Sequence, residues 1–245
     1  QFNFDVTEVQ ILENGNKFIG TKRGLIRTNE GIEINADEFE YDKILNVLKA
    51  SGNVKITDLI NKYIIYTKNI TYQKNDGIIF TTNGSKAISI NDSIEISADD
   101  FNYNLILNTI TAEKKVGVID KANDYKIFSD FLKYFKNEEK IITKGETLAD
   151  IKSKYNIESS NITFLRNKME MNSNEKTIIT DKLNLYSLSK FKYFINEEEL
   201  RGEKILISSN YNLPKNDKFY FSSGIIDLKN LNFKASDTEI TIHKD

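Results

Sequence analysis

Few residues of this chain have the types and spacing that catalysis or metal binding requires. The segment from Gly15 to Lys22 has the glycine spacing of a phosphate-binding loop, but Thr21 precedes Lys22 where that motif needs the lysine first. Gly24 to Arg27 favours a strand, so no helix N-terminus follows to hold a phosphate. His243 is the only histidine and cysteine is absent, which excludes metal sites built from these residue types. The sequence therefore predicts no enzyme activity, no metal and no cofactor.

Two acidic pairs are the remaining candidates for acid–base chemistry. They are Asp37 with Glu38, and Asp99 with Asp100, which lie 62 residues further along. Both pairs fall where the apolar alternation of the chain changes phase, as it does at a turn. We interpret these carboxylates as acceptors for nearby backbone N–H groups, because Asp commonly makes such bonds in turns.

An internal repeat defines the elements that position these residues. The segment Gly31–Asp58 returns as Ser93–Asp120, and 13 of the 28 aligned residues are identical. A shorter unit recurs three times at 31 residues and once more after 30. Self-similarity at a fixed period is the signature of repeat architectures. The copies of this unit begin at Ile32, Tyr63, Ile94, Tyr125 and Tyr155.

Each copy alternates apolar and polar residues over five positions, adds one residue, and then alternates again. An extra residue that resets the alternation is typical of a β-bulge or a sharp bend. One strand with its turn takes roughly 15 residues, so we expect about 16 strands. Glycines inside the intervening strands predict corners there too: Gly52, Gly84, Gly145 and Gly202. The residues at the bends of the five copies are all small: Ala36, Thr67, Ala98, Ser129 and Ser159.

These patterns predict an all-β fold in a single domain, residues 1–245. The repeats are clear from about 31 to 210, and residues 1–30 and 211–245 supply edge strands. The net charge of −2 gives no reason to expect nucleic acid as a partner. No run of 18 apolar residues is present, so no helix is predicted to span a membrane.

Two local patterns refine this prediction. An Asn-Gly pair within Asn14–Asn16 separates two apolar runs, which indicates a hairpin. Thr147–Tyr155 has a weak helical pattern, but the phase of the repeat runs through it and favours a strand.

One set of apolar residues shares a side of the predicted strands. Successive side chains of a strand point to opposite faces, so residues of the same parity line the same face. We expect this set to face one shared apolar interior, either as ordinary core or as a continuous lining. The residues are Ile34, Phe39, Tyr41, Leu48, Ile65, Ile70, Tyr72, Ile96, Phe101, Tyr103, Ile110, Ile127, Leu132 and Tyr134.

Three short motifs carry a family likeness: Ile34–Asp37 (INAD), Ala50–Val54 (ASGNV) and Ile96–Asp99 (ISAD). In these motifs and their register, residues 30–210 resemble the OstA-like domain of lipopolysaccharide transport. That domain forms the periplasmic bridge protein LptA and the N-terminal part of the outer-membrane translocon LptD; the length of this chain favours the latter. The resemblance implies a twisted, partly open β-jellyroll of two facing antiparallel sheets, with lipid A acyl chains between the sheets and no catalysis.

The resemblance also implies a location and partners. It implies a periplasmic protein, attached to the outer membrane if it is part of LptD, that passes lipopolysaccharide from the bridge toward the translocon. Other jellyroll proteins of the bridge would pair with its N-terminal edge by strand addition. If the chain is a fragment, an outer-membrane β-barrel and its lipoprotein plug are further partners. The residues predicted for the partner edge are Phe2, Phe4, Val6, Val9 and Ile11.

Three other interpretations stay open on the sequence. The first is a stand-alone periplasmic bridge of the LptA kind. The second is a structural or adhesive β-solenoid whose core is completely filled. The third is a carbohydrate-acting β-solenoid enzyme, which would show non-repeating carboxylates clustered on one face, whereas the acids here recur at turns.

Overall fold

Within the part of the chain that the structure describes, the regular elements are β-strands, with three single turns of 3₁₀ helix between them. The computed structural model describes residues 1–91 and 93–243, and these hold 24 strands. Eight strands are 11 or 12 residues long. The other sixteen form eight pairs, each of which reads as one long strand broken near its middle. The prediction of an all-β fold is confirmed, and the described chain contains the equivalent of 16 full-length strands.

The chain divides into two compact units, unit 1 (Gln1–Ala122) and unit 2 (Asn123–Asp245). The organisation as a single domain stays a prediction. A 3₁₀ turn at Glu13–Gly15 joins the strand Gln10–Leu12 to the strand Lys17–Gly20, which places the predicted hairpin there. The strands of unit 1 are β1 (Phe2–Asp5), β2 (Gln10–Leu12), β3 (Lys17–Gly20), β4 (Gly24–Thr28), β5 (Ile32–Ala36), β6 (Glu38–Asp42), β7 (Val47–Asp58), β8 (Tyr63–Gln73), β9 (Ile78–Ser89), β10 (Ile94–Ala98), β11 (Asp100–Asn104) and β12 (Thr109–Asp120).

The strands of unit 1 pair antiparallel in two rows. Row A contains β1, β4, β5, the second half of β7, the first half of β8, the second half of β9, β10 and the second half of β12. Row B contains β2, β3, β6, the other halves of β7, β8 and β9, then β11 and the first half of β12. Each long strand belongs to both rows and joins them through a bend at its middle.

Residues in the left-handed backbone conformation form these bends. In the β7–β8 pair, Gly52 and Asn53 stand opposite the single residue Lys68. Their φ angles are 74° and 47°. A Cβ on Gly52 would come within 2.7 Å of Asp37 Oδ2, so this corner requires glycine for both its backbone angle and its space.

The bends fall where the sequence alternation changes phase. A single residue separates β5 from β6 and β10 from β11, and the register of β8 with β9 shifts at the equivalent point. The register of the strands Tyr125–Phe135 and Lys140–Ile151 shifts there too. In the fifth copy two residues, Asn161 and Ile162, separate the strand Tyr155–Ser160 from the strand Thr163–Leu165. The predicted bends therefore exist, and they follow the small residues by one position at Asp37, Lys68, Asp99 and Asp130.

The corners predicted at glycines are present at three of the four positions. Gly52, Gly84 and Gly145 have left-handed φ angles of 74°, 90° and 73°. The prediction for Gly202 is wrong, because this residue pairs in register with Gly224 inside β21 and β22. A Cβ on Gly202 would come within 2.2 Å of Leu188 Cδ2, so this glycine makes room for a packed side chain.

Unit 2 repeats the same layout with its own strands. Its two rows, C and D, are again joined by the bends of long strands. The segment Thr147–Tyr155 is not helical, because Thr147–Ile151 belongs to a strand and residues 152–154 form the turn to the next strand. Single 3₁₀ turns lie at Lys136–Glu138 and Arg166–Lys168. The strands are β13 (Tyr125–Phe135), β14 (Lys140–Ile151), β15 (Tyr155–Ser160), β16 (Thr163–Leu165), β17 (Glu170–Ser173), β18 (Thr177–Thr180), β19 (Asn184–Leu188), β20 (Lys190–Phe194), β21 (Glu199–Ser209), β22 (Asp217–Asp227), β23 (Asn232–Ser236) and β24 (Glu239–Thr241).

Row C contains β15, β18, β19 and β24 with the first halves of β13 and β22 and the second halves of β14 and β21. Row D contains β16, β17, β20 and β23 with the remaining halves of the long strands. In both units the apolar side chains alternate toward the space between the rows, and that space is the core.

Candidate functional site

The predicted lining residues lie on the inner faces of the rows. Thirteen of the fourteen are buried, and Tyr41 is half-buried. Eleven belong to unit 1, where Ile34, Ile65 and Ile96 come from row A and the others from row B. The remaining three, Ile127, Leu132 and Tyr134, belong to the core of unit 2.

Aromatic rings bridge the two rows of each unit. In unit 1 the rings of Tyr63 and Tyr103 meet edge to face with centroids 5.7 Å apart. In unit 2 the rings of Tyr125 and Phe164 are 4.9 Å apart and also meet edge to face. This geometry is favourable for aromatic pairs. At these levels the space between the rows is filled by the protein's own side chains.

Buried hydroxyl groups close the bend side of the core. In unit 1 the Thr81 hydroxyl accepts a hydrogen bond from the Phe101 backbone N–H at 3.1 Å and lies 2.5 Å from Ser85 Oγ. The Ser85 hydroxyl in turn donates to Thr67 Oγ1 at 3.0 Å. In unit 2 Thr143 and Thr147 repeat this arrangement. These hydroxyls form hydrogen bonds with backbone groups that have no strand partner where the strand pairing is interrupted.

The acidic pairs at the bends bind side chains. Asp37 accepts hydrogen bonds from Arg23 at 2.8 Å and from Asn53 at 2.7 Å, which hold its pKa below the usual value. Asp99 and Asp100 lie 3.3 and 2.7 Å from the ammonium groups of Lys115 and Lys114. The prediction that these carboxylates accept backbone N–H groups is corrected, because charged and amide side chains from neighbouring strands reach them instead.

The edge opposite the bends, which we call the seam, brings together turns of the two rows. In unit 1 the Tyr103 hydroxyl of row B donates to Asp58 Oδ2 of row A at 2.6 Å. Lys74, in a turn of row B, forms an ion pair with Glu30, in a turn of row A. Both contacts join residues more than 40 positions apart in sequence. Side-chain contacts thus connect the rows at the seam.

The seam of unit 2 is built on a buried arginine. The Arg166 guanidinium donates to the hydroxyls of Tyr125 at 2.7 Å and Tyr134 at 3.0 Å, and it pairs with Glu139. Glu198 accepts a hydrogen bond from the Tyr155 hydroxyl at 3.1 Å and pairs with Lys154. Each of these two sets of contacts therefore includes a cation paired with a carboxylate.

Burial and charge shift the titration of these seam groups. Burial raises the pKa of Tyr72 to about 12, and the nearby Glu30 and Asp58 carboxylates contribute to this rise. Burial also raises the pKa of Tyr103, as does the Asp58 carboxylate that it contacts. The hydrogen bond from Lys74 lowers the pKa of Glu30, and that from Lys154 lowers the pKa of Glu198. These groups keep fixed protonation states near neutral pH, which suits structural contacts better than proton transfer.

Open spaces lie at the margins of the cores. A cavity of about 370 Å³ opens at the seam of unit 1, and its lining includes Ile60, Ile106 and Tyr72. A cavity of about 190 Å³ lies at the C-terminal end of the core of unit 2, beside Phe219 and Phe233. A larger cavity, about 850 Å³, lies on the outer face of β20 to β23 and is lined by none of the predicted residues.

Comparisons with known proteins give structural likenesses but no match by sequence. No protein-family model and no curated protein matches the sequence. The chain is similar to the crystal structure of LptH, the LptA-homologous periplasmic component of the conserved lipopolysaccharide transport device from Pseudomonas aeruginosa. The likeness has a TM-score of 0.39 and 16% identity, and it covers 42% of this chain and 75% of that chain. A likeness at this level establishes neither the family nor the function of this chain.

The described chain contains no metal site of the usual kind. Across residues 1–91 and 93–243, no group of three or more His, Cys, Asp or Glu side chains is arranged to hold a metal ion. Within the same residues, no helix is long and apolar enough to cross a membrane.

Sequence reasoning missed the residues that close both sides of the core. The hydroxyl pairs had a visible signal, because Thr81 and Ser85 return as Thr143 and Thr147 at the 62-residue offset. Arg166 had none, since a charged residue in a turn normally reads as solvated, yet here it is 8% exposed. The lining prediction ended at Tyr134, although apolar alternation continues through unit 2.

Proposed function

We propose that this protein is an OstA-like domain that binds lipopolysaccharide through its lipid A acyl chains and passes it from the periplasmic bridge toward the outer-membrane translocon. The two rows of each unit serve as the facing sheets of a twisted, partly open β-jellyroll. The chain works in the periplasm, as the N-terminal domain of LptD attached to the outer membrane or as a stand-alone bridge of the LptA kind.

One observation carries this proposal: the two rows of a unit are joined by continuous strands along the bend side and by side chains at the seam. In unit 1 the contacts that reach across the seam include Tyr103 with Asp58 and Lys74 with Glu30. Parting the rows at the seam breaks side-chain contacts and leaves every strand pair within a row intact. An acyl chain that enters there meets the inner faces lined by Ile34, Phe101 and their neighbours.

The free energy available to such a ligand is sufficient without specific polar contacts. Transfer of an acyl chain from water is worth about 0.8 kcal/mol per methylene group. About ten buried methylenes therefore provide roughly 8 kcal/mol before ordering costs. The function requires no catalytic group, cofactor or metal, and the proposed site is the set of apolar lining residues.

The proposed partner edge is the start of the chain. Among the described residues β1 pairs with β4 and β2 pairs with β3, and each keeps one side without a strand neighbour. Phe2 is buried, Phe4 and Val6 are half-buried, and Val9 and Ile11 are exposed. Another jellyroll of the bridge would add a strand to this free side. If the chain is part of LptD, the outer-membrane barrel and its lipoprotein plug are partners as well.

A second candidate is a structural interaction protein with a filled core. It is favoured by the burial of the lining residues, of which Ile34, Leu48 and Tyr103 are 0% exposed. The ring contacts between the rows also favour it. The two candidates differ in whether the interior ever contains lipid.

Photo-crosslinking distinguishes them. A photoreactive residue at position 101, on the inner face of β11, is compared with one at position 40, where Glu40 faces Lys17 on the outside of row B. We expect lipopolysaccharide adducts from position 101 and few from position 40. Equal labelling at both positions of a folded protein would mean that the interior is only a core. Phe101→Ser should also reduce the lipid that copurifies with the protein, since it adds an unpaired hydroxyl to the lining.

A further inference from the structure

Three turns at the seam of unit 1 expose aliphatic side chains at their tips. The turns are residues 43–46, 59–62 and 105–108, and together we call them the turn ridge. Five of their Ile and Leu side chains are between 61% and 74% exposed. Single exposed apolar residues are ordinary on a protein surface, whereas a group of them marks an interaction site. These five are Ile44, Leu45, Ile60, Ile106 and Leu107.

The fold does not require apolar residues at these tips. The polar residue before each of two turns holds it together: Asp42 accepts from the Leu45 N–H at 2.9 Å, and Asn104 accepts from the Leu107 N–H at 2.8 Å. The neighbouring turn, residues 74–77, has the polar pair Asn-Asp at its centre. Asn, Asp and Gly are the residues that turn geometry favours. The aliphatic side chains at the tips are therefore not required for the turns to form.

Turns 43–46 and 105–108 lie in one line along row B, with the polar turn 74–77 between them. Turn 43–46 is joined to turn 74–77 by a hydrogen bond from the Lys74 N–H to the Asn46 carbonyl at 3.1 Å. Turn 74–77 is joined to turn 105–108 by a bond from the Leu105 N–H to the Gly77 carbonyl at 2.9 Å. Strands lie about 4.8 Å apart, so the outer two turns are roughly 19 Å from each other. Turn 59–62 faces them across the seam cavity.

The charges of the ridge complement a lipid surface. Its three turns contain Lys43 and Lys62 and no acidic residue, while the polar turn 74–77 between two of them contains Lys74 and Asp76. Neither lysine has an ion-pair partner among the described residues, while the carboxylates that precede two of the turns, Asp42 and Asp58, accept backbone N–H bonds. Aliphatic tips beside free ammonium groups match the boundary of acyl chains and phosphate headgroups. A folded protein partner would have to offer separate pockets for tips that lie on different turns.

We infer that the turn ridge docks unit 1 on the surface of a phospholipid bilayer. The Ile and Leu tips enter the acyl boundary, and Lys43 and Lys62 lie at the level of the phosphates. This inference does not depend on the proposed function, because it concerns the outside of the turns and not the lined interior.

The absence of tryptophan from the chain allows a direct test. Ile106→Trp places one fluorophore on the ridge, and Leu183→Trp places one on an exposed turn of unit 2 as a matched control. With vesicles of phosphatidylethanolamine and phosphatidylglycerol, we expect a blue shift and quenching by brominated acyl chains for the ridge variant alone. No shift, or an equal shift for both variants, overturns the inference. A blue shift of the tryptophan fluorescence that grows with protein concentration in the absence of vesicles shows docking to a second copy. That result also overturns the inference.

Sedimentation with the same vesicles measures the contribution of the tips. The variant Ile44→Asn, Leu45→Asn, Ile106→Asn, Leu107→Asn should bind at least about tenfold more weakly. The control replaces three exposed leucines of unit 2, Leu183, Leu213 and Leu231, by Asn and should bind as the original protein does. Lys43→Gln with Lys62→Gln should lose the preference for anionic over phosphatidylcholine vesicles. Undiminished binding by the folded ridge variant contradicts the inference. If that variant does not fold, the comparison of the two tryptophan variants decides the question.

Discussion

The bend and the seam of unit 1 connect the same two rows of strands by different means. At the bend β7, β8, β9 and β12 run from one row into the other, and short buried hydroxyls such as Thr81 and Ser85 fill the corners. At the seam the connection depends on long side chains, as in Lys74 with Glu30. The bend side of the core is therefore held together by the backbone. The seam side is held by side-chain contacts that can separate without breaking a strand pair.

The largest effect should come from the buried seam arginine of unit 2. Arg166→Met removes hydrogen bonds to Tyr125 and Tyr134 and leaves the Glu139 carboxylate without its cation. We expect a loss of about 3 kcal/mol in the free energy of unfolding, measured by urea denaturation. The control Arg201→Met removes an exposed ion pair with Glu199 and should cost no more than about 1 kcal/mol. Equal losses would show that burial of the seam contact contributes nothing.

Substitutions of two glycines at the bend test how much the backbone there contributes to stability. Gly52→Ala places a methyl group within 2.7 Å of Asp37 Oδ2 at a φ of 74°. Gly84→Ala has a φ of 90° with nothing within 4 Å. We expect losses of about 2 and about 1 kcal/mol respectively, because only the first adds a clash to the backbone strain. Thermal or urea unfolding of both variants measures the difference, and a reversed order would contradict the assigned geometry.

The hydroxyl network at the bend should have an intermediate effect. Thr81→Val leaves the Phe101 N–H without the acceptor that it has at 3.1 Å, so we expect a loss of about 1.5 kcal/mol. Thr82→Val, on the exposed side of the same strand, should change stability by less than about 0.5 kcal/mol. Hydrogen exchange of the Phe101 amide should increase in the first variant only. An unchanged rate there would mean that the hydroxyl does not protect this backbone group.

The smallest effect should be the pH dependence of the Lys74–Glu30 contact. The pKa of Glu30 is held below its ordinary value of 4.5 by the hydrogen bond from Lys74. Its charged form is therefore favoured in the folded state, so the contact stabilises the protein above pH 4.5 and is lost as the pH falls through the folded-state pKa. The Glu30 side chain is 55% exposed, so the effect should stay below about 1 kcal/mol. The melting temperatures of the protein and of Glu30→Gln should differ at about pH 7 and converge at about pH 3; a constant difference would contradict this assignment.

The sequence predicted those parts of the fold that depend on local alternation. The bends after Ala36, Thr67, Ala98 and Ser129 were visible because an extra residue changes which side chains point inward. Gly202 was misread, because a glycine that makes room for Leu188 looks the same in sequence as a glycine that turns the chain. Spacing alone does not distinguish these two uses.

The candidate site was predictable in its apolar part only. Period-2 patterning identified thirteen side chains that the structure buries, since burial follows directly from strand parity. The seam contacts join residues more than 40 positions apart, as Asp58 does with Tyr103, and no local pattern encodes that distance. Repetition also hid the difference between turns, because the polar turn 74–77 and the aliphatic turn 105–108 occupy the same phase of the repeat.

Within each unit, full-length strands that are consecutive along the chain pair with each other. A newly made segment therefore finds its partner about 15 residues back along the chain, and closing such short loops costs little conformational entropy. This topology allows one hairpin after another to be added to a growing edge, which favours a fast search compared with sandwiches whose neighbours lie far apart in sequence. The protein can therefore assemble in the order in which it is synthesised, before its C-terminal strands are available.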